Sequence, residues 1–247
     1  MSPRSLLLAV FAVISFGGIV ILVAMPPREP PTYRISPDAA GWLEASPVPQ
    51  PAALFVGDSY AHGDAAAGPR SSFPTLTAQA MGWACSLDAE GSTGYLANGH
   101  LISKEFAPYA GRLAADKRKY RADYVIVSGG RNDVGRPGFA RAVNTYLRAV
   151  KRTYPRARLI VLEPMWHDAD PPAEMLEKKS TVRSIARSLG AVVIGTDGWL
   201  TEDYLADDGI HPSVTGQKRI AEHLVRALKA AGSTIWRPGM RSDQDLG

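Results

Sequence analysis

The sequence predicts an α/β fold, a three-layer α/β/α sandwich built on a mainly parallel, five-stranded sheet. Three observations carry this prediction. From residue 52 onward, short apolar runs alternate with segments whose apolar residues recur at helical spacing, as strands joined by crossover helices do. The chain has 247 residues, 45% hydrophobic and 21% charged, which suffices for one sizeable core and excludes the disordered and fibrous classes. The polar residues that interrupt the pattern fall where the apolar runs end, and in open α/β sheets ligands bind beyond those strand ends.

The first element in chain order is an uncharged segment from Ser5 to Met25, dominated by Leu, Val, Ile, Phe and Ala. As a helix of about 20 residues it is long enough for a hydrocarbon core ~30 Å thick, so contact with a membrane through residues 5–25 is expected. An anchor is favoured over a cleaved signal peptide, whose apolar region runs only ~7 to 15 residues; cleavage after Ala24 would also put bulky Leu22 where a small residue is preferred. Arg4 and the terminal amine balance Arg28 and Arg34, so orientation rests on the signal-like position of the segment. The expectation is an extracytoplasmic domain, secreted if the segment is cut. Residues 26–51 hold eight prolines, which favour an extended spacer.

Residues 52–231 form the predicted domain. Its strands are expected at Ala52 to Val56, Ala84 to Leu87, Tyr124 to Val127, Leu159 to Leu162 and Ala191 to Ile194. Val143, Tyr146, Leu147 and Val150 give one helical stripe, and Val182, Ile185, Ala186 and Leu189 another. The last helix follows His211-Pro212-Ser213, with Ser213 as N-cap and Ile220, Leu224 and Leu228 stacked at steps of four. Residues 232–247 lose periodicity and read as a tail.

The net charge of +4 is scattered apart from Lys117, Arg118, Lys119 and Arg121, which read as a solvated helix face rather than a nucleic-acid site. The single cysteine, Cys85, excludes an internal disulfide and is expected to pack in the core of a buried strand.

Ser59 directly follows the first strand in Gly57-Asp58-Ser59, where a sharp loop would hold its hydroxyl at the sheet edge. A serine hydroxyl is a weak nucleophile until a base takes its proton, and taken alone the triplet reads as an ordinary turn. Asp208-Gly209-Ile210-His211-Pro212 supplies the missing parts: an imidazole as general base and a carboxylate three residues earlier to orient it. The spacing selects Asp208 over its neighbour Asp207. A developing oxyanion also needs donors, and the candidates are the N–H of Gly94, in the loop after the second strand, and the side-chain amide of Asn132, after the third.

Gly57-Asp58-Ser59, the loop glycine Gly94, Gly130-Arg131-Asn132-Asp133 and Asp208-Gly209-Ile210-His211-Pro212 stand in the order of the four sequence blocks of SGNH (GDSL-like) hydrolases, and the chain resembles that family from residue 52 to about 230. The resemblance implies that Ser59 is the nucleophile and also an oxyanion N–H donor. It likewise makes Gly94 and Asn132 the other oxyanion donors, and His211 the base oriented by Asp208. It implies an esterase, lipase, thioesterase or carbohydrate deacetylase that needs no metal or organic cofactor. Tyr60 departs from the pattern, since many relatives carry leucine or isoleucine there, and Gly91 competes with Gly94 in the same loop.

An α/β-hydrolase is opposed by Ala61 in place of the elbow glycine and by the closeness of acid and histidine. A silent glycan- or lipid-binding module and an acyltransferase with the same acyl-serine intermediate remain open. His62, Asp64, His100, His167, Asp168 and Asp170 match no metal-ligand spacing. Tyr60, Tyr95 and Trp166 either line the mouth of the site or pack inside. The expected substrate is an acyl ester, small or polymeric, such as an acylated cell-envelope glycan or lipid.

Overall fold

The computed structural model describes residues 10–15, 18–23, 50–99, 106–167 and 170–232. It divides into two units, Met1–Pro47 and Val48–Gly247. In the first, β1 (Val10–Ser15) and β2 (Gly18–Val23) pair antiparallel, from Val10 opposite Val23 to Ser15 opposite Gly18. This corrects the helix expected over residues 5–25. Apolar content alone does not separate a spanning helix from a hairpin. Val and Ile, branched at Cβ, favour extended backbone. No helix among the described residues is long and apolar enough to cross a membrane. Most of the proline-rich spacer and nearly all of the tail lie outside the described residues.

The second unit is the expected three-layer sandwich. β3 (Ala52–Gly57), β4 (Ala84–Ala89), β5 (Tyr124–Val127), β6 (Arg158–Leu162) and β7 (Val192–Ile194) form a parallel sheet in the order β4-β3-β5-β6-β7. The helices are α1 (Ser59–His62), α2 (Phe73–Met81), α3 (Tyr109–Lys119), α4 (Phe139–Thr153), α5 (Ala173–Ser188) and α6 (Val214–Ala230).

Alternation along the strands sorts the core into two layers. Phe55, Ile126, Ile160 and Leu162 face one way and pack with Phe73, Ala78 and Met81 of α2 and with Ile220, Leu224 and Leu228 of α6. Leu54, Val56, Val125, Val127 and Val161 face the other way, against α3, α4 and α5 through Tyr109, Val143, Tyr146, Leu147, Val150 and Val182. Full burial of an aliphatic or aromatic side chain stabilises by ~1.5–3 kcal/mol, so both stripes read from the sequence are what hold the layers on. Ser213 caps α6 as expected, its Oγ accepting the N–H of Gly216 at 3.1 Å.

Cys85 is a second correction: it is exposed, not buried. β4 is an edge strand with one neighbour, so its first residues lack the cover that central strands have.

From β3 the chain crosses to β4 on one side and later to β5 on the other. The sheet therefore has its topological switch point at the end of β3, where a crevice opens beyond the strand ends.

Candidate active site

Ser59 stands at that switch point. β3 ends at Gly57, where a Cβ would lie 2.4 Å from Ala61 Cβ and 3.0 Å from Ser128 Oγ, so only glycine fits. Asp58 follows in extended backbone and caps α1, its Oδ1 accepting the N–H of Tyr60 at 3.0 Å. Burial pushes the Asp58 carboxyl up to about 6, with the Tyr60 N–H offsetting part of the rise. Ser59 is thereby held as the first residue of a helical turn and is 7% exposed.

The second part of the site is the loop before α6. Asp208 accepts the backbone N–H of Ile210 and of His211 through Oδ1, each at 2.9 Å, while Oδ2 lies 2.6 Å from His211 Nδ1. Desolvation raises Asp208, but the hydrogen bonds from His211 and Ile210 together outweigh it and hold the carboxyl down to about 2. The loop is closed by the Ala206 N–H donating to His211 O at 2.8 Å and the Ser213 N–H donating to Tyr204 O at 2.8 Å.

The structure joins this loop to the serine through Tyr60. The Tyr60 hydroxyl donates to Ile210 O at 2.6 Å, its ring meets His211 edge-on with centres 6.0 Å apart, and its carbonyl accepts from buried Gln217 at 2.9 Å. No hydrogen bond joins Ser59 Oγ to the imidazole itself, and such bonds commonly tighten only when substrate arrives.

The third part comes from the loops after β4 and β5. Asn132 lies in a 3₁₀ turn, and its Nδ2 donates to Thr93 O at 3.0 Å, which leaves the amide a second N–H. Next to it, fully buried Asp133 accepts the N–H groups of Tyr95, Leu96 and Ala97 at 3.0, 2.9 and 2.9 Å. Gly94 must be glycine because a Cβ there would lie 2.4 Å from Asp133 Oδ2. Its N–H, however, donates to Ala97 O at 2.9 Å. The oxyanion role that the resemblance implies for Gly94 is therefore not seen here; the residue serves by letting the loop close over Asp133.

A model of the GDSL-like lipase/acylhydrolase family matches residues 55–219, a span that contains all of these residues. The chain belongs to this family. A GDSL lipase of Mycobacterium tuberculosis is 27% identical to it over 184 residues, 68% of this chain and 78% of that protein. Solved structures share the fold. A carbohydrate esterase family 2 enzyme of Corynascus with a carbohydrate-binding domain superposes with TM-score 0.59 at 21% identity, covering 88% of this chain and 72% of that one. A salicylyl-acyltransferase from a tetracycline biosynthetic pathway gives TM-score 0.57 at 20% identity, covering 76% of this chain and 57% of that one.

Sequence reasoning missed Arg112 of α3, which is buried behind the end of β3 and the loop after β4. Its Nε donates to Asp88 at 2.9 Å, Nη2 to Gly57 O at 3.2 Å, and Nη1 to Thr93 Oγ1 at 3.1 Å and Ala107 O at 3.0 Å. One guanidinium thus ties the strand end before Ser59 to the loop that holds Asn132. The available signal was that Tyr109, Arg112, Leu113 and Asp116 share the buried face of one helix.

Elsewhere, Lys117, Arg118 and Lys119 are the exposed last turn of α3, as expected of a solvated face. Tyr95 is inside, among Tyr109, Phe139 and Tyr146. His62 pairs with Asp64 at 2.6 Å, while His100 and Asp168 lie outside the described residues.

Proposed function

We propose that the chain is a carboxylic ester hydrolase that works through an acyl-serine intermediate. The observation that carries this reading is the Asp208–His211 pair, closed at 2.6 Å in a loop whose Ile210 carbonyl accepts from the hydroxyl of Tyr60, the residue after Ser59. Asp208 accepts the Nδ1 proton and fixes the tautomer, which leaves Nε2 to take the proton of Ser59. Ser59 Oγ then attacks the ester carbonyl, and the tetrahedral oxyanion is met by the Ser59 N–H and the free N–H of Asn132, each donor being worth ~3 kcal/mol. His211 returns the proton to the leaving alcohol, and water repeats the cycle on the acyl-serine.

The apolar run from Ser5 to Met25 supports an exported or membrane-held enzyme with its domain on the outer side, and with it an acylated cell-envelope glycan or lipid as substrate. The likeness to a salicylyl-acyltransferase favours a second reading, in which a hydroxyl acceptor replaces water in the last step. Ser59→Ala tests the shared first step. The variant should keep its fold by circular dichroism and lose hydrolysis of p-nitrophenyl acetate; full activity would exclude the mechanism. An acceptor alcohol added to the wild type separates the readings, since a transferase yields the new ester in place of free acid.

A further inference from the structure

Beside the proposed triad, a cation sits in an aromatic slot; it acts at longer range on the buried Asp58 carboxyl, but among the described residues no ion pair closes on it. Arg131 precedes Asn132, and its guanidinium carbon lies 4.2 Å from the Trp166 ring centre and 5.6 Å from that of Tyr60. Since the Tyr60 ring also meets His211, the sequence His211, Tyr60, Arg131, Trp166 forms a continuous wall leading away from the general base. Arg112 and Arg183, by contrast, are matched to the carboxylates of Asp88 and Glu163, while Arg158 and Arg219 donate to backbone carbonyls. Among the described residues no carboxylate pairs with Arg131. Its side-chain partner is His167 Nδ1 at 3.4 Å, long for a hydrogen bond.

A guanidinium carries five N–H donors and cannot lose its charge at working pH. Here two aromatic contacts hold the group in place and half-bury it, so most of those donors are positioned but unspent. A fork of this kind matches the paired oxygens of a carboxylate or phosphate. Arg136, which donates to Asn132 O at 3.3 Å, adds a second positive charge on the same turn.

We propose that Arg131 binds a negatively charged group, carboxylate or phosphate, carried by the substrate close to the scissile ester. The proposal rests on the ester-hydrolase reading of Ser59 and narrows its substrate class to anionic esters. The wall also predicts selectivity by charge rather than by chain length, because it offers donors where an acyl pocket would offer apolar surface.

The test uses full-length protein and matched esters. p-Nitrophenyl hemisuccinate against p-nitrophenyl butyrate places the carboxylate on the acyl side, 4-acetoxybenzoate against phenyl acetate places it on the alcohol side, and 4-acetoxyphenyl phosphate supplies phosphate. In the wild type at least one anionic member should exceed its neutral partner in kcat/KM by about ten- to a hundredfold, the size expected of hydrogen bonds to a charged group. That ratio should collapse towards one in Arg131→Gln and recover in part in Arg131→Lys. A wild type that prefers no anionic ester, or an Arg131→Gln that lowers charged and neutral esters equally, overturns the proposal. Binding of phenyl phosphate and benzoate to Ser59→Ala, followed by NMR against benzyl alcohol, reads the anion site without turnover. Anion binding that survives Arg131→Gln overturns the proposal even if hydrolysis is confirmed, and loss of the ester reading alone leaves this arm to decide.

Discussion

The Ser59 side of the candidate site is buried, and the side that holds Asp208 and His211, the proposed acid–base pair, is a surface loop. Asp58, Ser59, Thr93, Arg112 and Asp133 are each no more than 7% exposed, and Arg112 and Asp133 reach partners far along the chain. The Asp208 and His211 side chains are 40% and 24% exposed, and their bonds close within three residues. The two carboxyls accordingly move in opposite directions, Asp58 up to about 6 by desolvation and Asp208 down to about 2 because its several local N–H donors together outweigh its desolvation. The difference shows a division of labour. A nucleophile and its oxyanion donors need backbone fixed from behind, whereas a general base needs one oriented ring with a path for protons to and from water.

That contrast predicts opposite phenotypes for the two sides. Asp208→Asn presents an amide where the imidazole needs an acceptor of charge, so kcat should fall by on the order of 10⁴. Because Asn can still accept the N–H groups of Ile210 and His211 through its oxygen, the melting temperature should move by no more than about 2 °C. Asp207→Asn should match the wild type, and a crippled Asp207→Asn beside a silent Asp208→Asn would reassign the acid. Arg112→Met does the reverse. It strands the carboxylate of Asp88, itself 11% exposed, and a broken buried pair costs about 3–5 kcal/mol, read in denaturant melts. A cost below about 1 kcal/mol would mean that the clamp is not needed to hold the buried loops.

Legibility in the sequence follows the same division. The five strands and the stripes of α4, α5 and α6 were legible because each repeats a local period, and Ser59, Asn132, Asp208 and His211 stood out as candidates because they punctuate it. Arg112, Asp133 and Tyr60 were illegible as determinants because each depends on a partner far along the chain, Gly57, Ala97 and Ile210, which lie 55, 36 and 150 positions away. Cys85 went wrong because an apolar run does not say whether its strand lies at an edge. The segment at Val10–Val23 went wrong because Val and Ile suit a strand as well as an apolar helix.

Tyr60 joins the two sides, and the smallest change tests how far they depend on each other. Its N–H is held by Asp58 in the buried half, and its hydroxyl donates to Ile210 O in the exposed loop. Burial pushes that hydroxyl up to about 12, so it stays a donor throughout the working pH range. Tyr60→Phe removes the hydroxyl while leaving the ring beside His211 and Arg131. Ile210 is 45% exposed, so its carbonyl can turn to water, and the cost in stability should stay near ~0.5–1 kcal/mol. The cost in rate should be larger in proportion, because the loop that carries His211 loses its hydrogen bond to the residue after Ser59: kcat should fall by about tenfold with KM little changed. Tyr60→Leu, which restores a side chain common in relatives, removes tether and ring together and should fall further. If Tyr60→Phe instead keeps kcat within about twofold of wild type, the Asp208 turn alone orients the base, and the two halves are positioned independently.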